Sequence, residues 1–459
     1  MTESPSLSLS EIFRRFRRNV AIIIGSRVVF GLINLATNIL VVRVFGVAEL
    51  GVAVMLQGYV RLLAGVLRLE TWQMILRLGA LEDAAVAEGA SPEGLRRLYG
   101  FGFLLDVVAM GLAVTAAILL APAAARRLDW PPEVAAFAPV FVLCLPLVTH
   151  ATASGILRLY DRVDALAWQH SANAAIRFAG VALAALAGGG LLHVVAAWFA
   201  ASVLSGLIPY AIAIAELRRR NMTPMVRGAW RHVRTAHPKV WRFLGFTNLR
   251  SQMVVVINQG TTLFIGAWFD AAATGAYEVA RRVTVSLAKP TQLLGPLIFP
   301  ELARLAAQRD WSVLRKLLVK QLTASAVILA LVSAVTFPIL PWLVETLFGD
   351  DLSESAWLLR LLMAAVVVNV FGFSLEPLLL SSDRPGTVLG LHLISTLVYV
   401  LVCAALLSPL GLTAFGVGLL AHYAVHQAML CTVGFRLLDR RSRKDAAKAA
   451  AALDAGAAP

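Results

Sequence analysis

Residues 99–121 read YGFGFLLDVVAMGLAVTAAILLA, a stretch in which Asp106 is the one charged residue. About 20 mostly apolar residues are enough for an α-helix to cross the hydrocarbon core of a bilayer. Eleven further segments have similar length and composition. The twelve predicted spans, numbered along the chain, are roughly residues 20–45, 49–75, 99–121, 134–157, 163–187, 191–215, 243–268, 272–299, 319–343, 355–380, 386–408 and 412–435.

The composition of the whole chain agrees with this pattern. Of 459 residues, 59% are hydrophobic and 15% charged, whereas soluble domains are about 45–50% apolar and about 25% charged. A soluble multidomain enzyme, a disordered chain and a disulfide scaffold are therefore excluded. Cys144, Cys403 and Cys431 lie in apolar runs without metal-ligand spacing, so we expect no metal site and no cofactor.

The basic residues predict the orientation. With the N-terminus in the cytoplasm, 29 of the 41 Lys and Arg residues fall in the cytoplasmic tails and loops and two, Arg126 and Arg127, in the opposite loops. The other ten lie within spans. Cytoplasmic loops of membrane proteins carry the excess of Lys and Arg. We therefore expect a multi-pass membrane protein with both termini in the cytoplasm.

The longest basic linker, residues 217–242, divides the chain into two halves of six spans. Gly51 and Gly275, Leu95 and Leu314, and Gly190 and Gly411 correspond at offsets of 219–224 residues. The predicted fold is an all-α polytopic membrane protein with about twelve helices in two parallel six-helix repeats around a central cavity. The predicted segments are a basic cytoplasmic tail (1–18), two bundles (19–216 and 243–437), the linker and an Ala-rich cytoplasmic tail (438–459).

Polar and cationic residues recur within the spans, mostly at spacings of 4, 7 and 11 that place them on one helix face. A charge in mid-bilayer is costly, so such residues usually line a water-filled cavity or pair with one another. Arg68 and Lys289 lie near the inner ends of their spans and could instead reach the interface. The candidate substrate-binding residues are Arg27, Asn34, Asn38, Gln57, Arg61, Arg68, Arg177, Asn248, Gln259, Arg281, Arg282 and Lys289.

A wet cavity lined by arginines attracts anions, and the guanidinium fork suits phosphate oxygens. Three acidic residues within spans, Asp106, Glu278 and Glu376, are candidates for binding a coupling ion. Asp106 and Glu376 could equally be hydrated helix ends, and Glu278 could form a structural ion pair with Arg27 or Arg282. His422 and His426 share a helix face, where packing or a polar helix contact is the simpler interpretation.

Catalytic and nucleotide-binding motifs are missing from the sequence. It has no Gly-rich phosphate loop followed by Lys and no nucleophile elbow, and its longest predicted external loop has about a dozen residues. We therefore expect a protein that is not an enzyme and whose energy comes from an ion gradient, the membrane potential or the gradient of the substrate.

Several motifs resemble those of a known family. Residues 43–51 (RVFGVAELG) resemble the turn between the first two helices of the polysaccharide exporter, or oligosaccharide (O-antigen) flippase, family. Residues 275–282 (GAYEVARR), 299–304 (FPELAR) and 355–362 (SAWLLRLL) are similar to its second-half motifs. The resemblance covers about residues 15–437. It extends to the multidrug/oligosaccharidyl-lipid/polysaccharide flippase superfamily.

This resemblance implies a flippase that moves an undecaprenyl-pyrophosphate-linked oligosaccharide by alternating access, for O-antigen, capsule or exopolysaccharide synthesis. The expected partners are this lipid-linked oligosaccharide, membrane lipids, a proton or sodium ion, and polysaccharide polymerase and glycosyltransferases, but no nucleic acid. Three alternatives stay open. They are a multidrug or organic-cation antiporter, which predicts an acidic cavity, a membrane-embedded glycan polymerase or ligase, which predicts a large outer loop, and a membrane scaffold that transports nothing.

Overall fold

The computed structural model describes residue 29 and residues 31–292, 311–348, 356–372, 374–381 and 385–456. These residues are almost entirely helical, with no β-strand among them, which confirms the all-α prediction. The chain forms two compact units, residues 1–275 and 276–459. Span 7 belongs to the first unit, and the division of the sequence at residues 217–242 stays a prediction.

The first unit contains spans 1–7. Its first helices are Gly31–Val44, Val47–Leu67, and Thr71–Met74, which continues through a π-helical turn (Ile75–Gly79) into Ala80–Ala87. They are followed by Glu93–Arg127, Pro132–Val142, Leu145–Thr149, Ala151–Leu159, Val163–Leu186, Leu191–Arg219 and Ala229–Ala236. The last is Val240–Val255, which continues through a second π-helical turn (Val256–Gly260) into Thr261–Trp268.

The second unit contains nearly all of span 8 and spans 9–12. Its helices are Ala271–Gln292, which begins at the end of the first unit, Trp311–Phe348, Ala356–Phe371, Leu375–Ser381, Pro385–Leu410 and Thr413–Gly456. The last helix continues through the described part of the predicted Ala-rich tail.

Each of the twelve predicted spans overlaps a described helix or a broken pair of helices, while residues 20–28 of span 1 and 293–299 of span 8 lie outside the described residues. Within the described part of the chain, six helices are long and apolar enough to cross a membrane, and the pair Pro132–Val142 and Leu145–Leu159, bent by 58°, gives a seventh. Large apolar side chains lie exposed on several of them, including Val107, Leu119 and Leu204. Such faces suit contact with lipid tails rather than water.

The turn between spans 1 and 2 depends on glycine. Gly46 has a φ of 110°, a conformation that glycine adopts without a steric cost. Gly51 lies one turn into the next helix, and a Cβ atom there would come within 1.7 Å of the Ala271 carbonyl oxygen. A Cβ atom at Gly275, its predicted counterpart, would likewise come within 2.2 Å of the Val47 carbonyl oxygen. The two glycines matched by sequence therefore share one close helix contact.

The basic linker between spans 6 and 7 is folded onto the start of span 3. The Met225 N–H donates to the Arg96 carbonyl at 2.9 Å, and the Arg96 guanidinium donates back to the Thr223 carbonyl at 2.9 Å. Trp230 and Trp241 pack against each other and against Phe101. The linker thus closes one end of the first unit rather than forming an open loop.

We predict that Gly51→Ala destabilises the protein, because the added methyl group overlaps main-chain atoms that side-chain rotation cannot relieve. Overpacking of this kind costs about 1–3 kcal/mol or more. Gly111→Ala is the matched control, since no atom of another described element lies within 4 Å of a Cβ placed there. Thermal unfolding of both purified variants in detergent measures the effect. Equal unfolding temperatures for the two variants would contradict the helix contact described above.

Candidate functional site

A polar cavity of about 620 Å³ lies in the first unit, between the broken ends of spans 2 and 4 and the flanks of spans 5 and 7. Apolar residues, among them Val148, Leu166 and Val255, form part of its wall. Its polar lining consists of Arg68, Glu70, Trp72, Gln73, Thr149, His150, Ser154, Arg158, His170, Thr247 and Ser251.

The cavity exists because two helices are interrupted at this depth. The Val47–Leu67 helix ends in an extended residue, Arg68, and the chain becomes helical again at Thr71. Span 4 is likewise broken around His150. The two helical segments before this break contain Pro139 and Pro146, respectively. Non-helical backbone at membrane depth is tolerated where it is buried in protein or lines a wet cavity.

Glu70 is hydrogen-bonded to several other residues of the cavity lining. Its side chain is 4% exposed and accepts hydrogen bonds from Arg68 at 2.7 Å, from the Ser251 hydroxyl and from the Trp72 indole. The Glu70 main-chain N–H donates to the side-chain oxygen of Asn248. A buried carboxylate is stable in this setting because several donors, one of them charged, replace the lost water.

The cationic side chains of the cavity are Arg68 and Arg158. The Arg158 guanidinium carbon lies 4.2 Å from the centre of the Trp72 ring, a cation–π contact, and the Arg158 side chain is exposed to the cavity. The residues that line the cavity include one carboxylate, Glu70. The lining side chains alone therefore carry one net positive charge even when His150 and His170 are neutral, and an ionised Asp106 behind the lining would balance that charge.

Asp106 is anchored directly behind this lining. It accepts hydrogen bonds from the Thr71 hydroxyl at 2.7 Å and the Thr152 N–H at 2.8 Å, and the Thr152 hydroxyl contacts that of Thr71 at 3.1 Å. Only 8% of the residue is exposed. Asp106 thus joins span 3 to the helix segments that carry Trp72 and Arg158.

Of the predicted substrate-binding residues, Arg68 lines this cavity, and Asn248 supports it through Glu70. Asn34, Asn38 and Gln57 are buried outside it, and Gln259 lies beside the Gly58 backbone. Asn38 has no hydrogen-bond partner for its amide among the described residues. Arg61 is exposed, and Arg177 is buried with its guanidinium 3.4 Å from the centre of Trp198. Arg27 and the side chain of Lys289 lie outside the described residues.

In two spans, the sequence spacing of 4 and 11 predicts a polar stripe on one helix face, Gln57, Arg61 and Arg68 in span 2 and Asn248, Gln252 and Gln259 in span 7, and both stripes are interrupted. The stripe of Gln57, Arg61 and Arg68 assumes one straight helix, but that helix ends at Leu67, so Arg68 leaves its face. The stripe of Asn248, Gln252 and Gln259 crosses the π-helical turn Val256–Gly260, whose wider winding changes the helical phase. Helical spacing alone therefore does not bring these side chains together.

In the second unit, Glu278 forms the ion pair that the sequence left open as an alternative. Its side chain is 1% exposed. It accepts two hydrogen bonds from Arg281, at 3.0 and 2.7 Å, and another from Arg282. Both oxygens of Glu278 are therefore occupied by guanidinium donors. Glu376 lies beside His392, with 3.7 Å between their Oε1 and Nε2 atoms.

The sequence interpretation missed Trp72, His150, Ser251 and Arg158 as cavity residues. Arg158 was assigned to a cytoplasmic loop because it follows the apolar part of span 4, and the bend in that span was not predicted. The prolines at positions 139 and 146 were the available signal, since proline interrupts helical hydrogen bonding.

Comparisons with known proteins bear on the family and the fold. A family described as "Polysaccharide biosynthesis protein" matches residues 107–357. The inner membrane protein YghQ of Escherichia coli (strain K12) is 27% identical over 305 residues, which are 65% of this chain and 84% of that protein.

Solved structures of similar fold include an inward-facing multidrug resistance MATE family transporter of the MOP superfamily. The superposition of this chain on that structure has a TM-score of 0.71 at 16% sequence identity. It covers 90% of this chain and 96% of the transporter. A MATE transporter of Vibrio cholerae gives a TM-score of 0.62 at 12% identity, covering 94% and 98%. At these identities the similarity establishes the fold, that of a polytopic helical membrane protein.

We predict that Glu278→Gln strongly destabilises the second unit, because it leaves two arginines in a spanning helix without their counter-charge. Breaking a buried ion pair costs about 3–5 kcal/mol. The triple variant Glu278→Gln/Arg281→Gln/Arg282→Gln should recover most of this loss. Folded yield and thermal unfolding in detergent measure both.

The matched control is Glu93→Gln, which removes a 2.9 Å pair with Arg97 whose Glu side chain is 52% exposed. Exposed pairs contribute about 0–1 kcal/mol, so this variant should unfold like the unaltered protein. A triple variant less stable than Glu278→Gln would refute the pairing argument.

Proposed function

Because the chain belongs to the polysaccharide biosynthesis protein family, we propose that it is a flippase for a lipid-linked oligosaccharide. The proposed substrate is an oligosaccharide on undecaprenyl pyrophosphate, carried from the inner to the outer leaflet of the bacterial cytoplasmic membrane by alternating access. The product would serve O-antigen, capsule or exopolysaccharide synthesis. Both termini are proposed to face the cytoplasm, where most of the Lys and Arg residues fall.

The observation that carries this proposal is the positive excess of the cavity in the first unit. A pyrophosphate group brings at least two negative charges and several acceptor oxygens. Arg68 and Arg158 supply planar guanidinium donors, which bind phosphate oxygens in pairs. The low dielectric of the surrounding helices strengthens such contacts.

The uncharged lining suits the rest of the head group. The hydroxyls of Thr149 and Thr247 donate to main-chain carbonyls of their own helices, so their oxygens can accept from sugar hydroxyls. The Ser154 hydroxyl and the flat face of Trp72 also belong to the lining. The candidate residues Asn34, Asn38, Gln57, Arg61, Arg177 and Gln259 are proposed to meet the substrate at other stages of its passage. Arg281 and Arg282, held by Glu278, are assigned a supporting role in this proposal.

Asp106 is the proposed coupling acid. A carboxylate held by Thr71 and Thr152 directly behind the cavity wall can bind a proton or a sodium ion and pass the change to the segments carrying Trp72 and Arg158. In Glu278, by contrast, two arginines already occupy the carboxylate.

The similarity in fold to multidrug resistance transporters supports a second candidate, an antiporter of organic cations. A cavity for cations would need an excess of acidic groups, and this lining has the opposite balance. The two candidates therefore differ in the sign of the charge that the substrate must carry.

We predict that Arg158→Gln slows flipping of undecaprenyl-pyrophosphate-linked N-acetylglucosamine in proteoliposomes by about tenfold or more. A hydrogen bond to a charged group contributes about 1.5–3 kcal/mol, and 1.4 kcal/mol corresponds to about a factor of ten. Arg219→Gln is the control, since it removes an equal charge from a side chain that is 76% exposed. The measurement is the time course of substrate appearing in the opposite leaflet.

Ethidium transport is measured in parallel with the same vesicles. The proposal requires lipid-linked substrate to move in the unaltered protein and ethidium to be excluded. Efficient ethidium transport without lipid flipping would favour the antiporter. An Arg158→Gln variant as fast as Arg219→Gln would remove the cavity from the proposed mechanism.

A further inference from the structure

The second unit contains a cluster of potential metal ligands that the sequence did not predict. Glu376, His392 and His426 each offer one ligand atom, and these atoms all lie within 4.8 Å of one another. The three residues come from three helices, Leu375–Ser381, Pro385–Leu410 and Thr413–Gly456. They lie far apart in sequence, so no short motif reveals them.

The distances suit an ion placed between the side chains. The Oε1 atom of Glu376 and the Nε2 atom of His392 are 3.7 Å apart, and the rings of His392 and His426 have centroids 4.2 Å apart. Zinc bonds to nitrogen and oxygen are about 2.0–2.2 Å long, which places tetrahedral ligand atoms about 3.4 Å from one another. Small side-chain rotations would close the remaining gap.

A cavity supplies the space. It has a volume of about 240 Å³ and is lined by all three residues together with His422, Tyr423 and Gln427. His426 is 4% exposed, and the Nε2 atom of His392 has no hydrogen-bond partner among the described residues. Buried polar atoms normally have partners, and an ion is one of the recognised explanations when they have none.

The neighbouring residues support ligation rather than simple packing. The Ser395 hydroxyl lies 3.4 Å from Nδ1 of His426, as an outer-shell partner that orients a ligating ring would. His422 stacks on His426 with centroids 6.1 Å apart, and its own Nδ1 atom has no partner in the described part of the chain. Two adjacent imidazoles and a carboxylate form a donor set that borderline divalent metals prefer.

We propose that Glu376, His392 and His426 bind one divalent transition-metal ion of the Zn²⁺ type. With three protein ligands the ion keeps a coordination position open toward the cavity, for water or a further ligand. The bound ion joins spans 10, 11 and 12 and stabilises that arrangement of the second unit. The proposal concerns this unit alone and does not depend on the proposed transport function.

The test uses the purified full chain without a polyhistidine tag, stripped with a chelator and dialysed against Zn²⁺. Metal analysis should find one Zn²⁺ per chain, and Zn²⁺ should raise the unfolding temperature whereas Na⁺ and Mg²⁺ should not. His426→Gln and Glu376→Gln should each weaken binding at least about tenfold, because even the loss of an outer-shell partner costs about 10–100-fold.

His237→Gln is the matched control, since His237 also faces a carboxylate, Glu82, at 3.0 Å but lies in the linker of the first unit. This variant should bind Zn²⁺ like the unaltered protein. Co²⁺ added to the unaltered protein gives a second readout that needs no variant, because a tetrahedral site produces visible absorption bands. The proposal fails if the unaltered protein binds no Zn²⁺, or if His237→Gln rather than His426→Gln abolishes binding.

Discussion

Charged groups placed within spanning helices require partners, and this requirement determines how both units are built. Glu70 in the first unit and Glu278 in the second are almost fully buried, and each accepts hydrogen bonds from arginine. Neither carboxylate nor guanidinium would be stable alone in lipid. Glu278 pairs within its own helix, whereas the contacts of Glu70 with Ser251 and Asn248 also join span 2 to span 7. The polar residues that first suggest transport therefore also have a structural task.

The spans themselves could be predicted because hydropathy is a local property. All twelve predicted segments overlap described helices, and Gly51 at the start of span 2 was matched with its counterpart Gly275. The ion pair of Glu278 with Arg282 was also accessible, because residues four apart on a helix are neighbours. These features depend on a few consecutive residues, which is the distance over which sequence patterns carry geometric information.

The cavity was harder to predict because it depends on departures from regular helices and on distant contacts. The extended residue Arg68, the bend near His150 and the π-helical turn at 256–260 each change where the following side chains point. Glu70 meets Ser251 across 181 residues, and Glu376, His392 and His426 meet across three helices. Spacing along a straight helix cannot encode such contacts.

The two arginines of the cavity in the first unit have different partners, and in the proposed flippase they would therefore contact an anion in different ways. Arg68 is bound to Glu70, whose other donors keep that carboxylate in place, so Arg68 offers its remaining N–H groups from a fixed position. Arg158 rests on Trp72, and a cation–π contact contributes about 0.5–2 kcal/mol. A charge-assisted hydrogen bond to phosphate contributes about 1.5–3 kcal/mol, so in the proposed mechanism a phosphate group competes with the ring for Arg158. A fixed donor would thus position the anion, and a movable one would release it once the cavity rearranges.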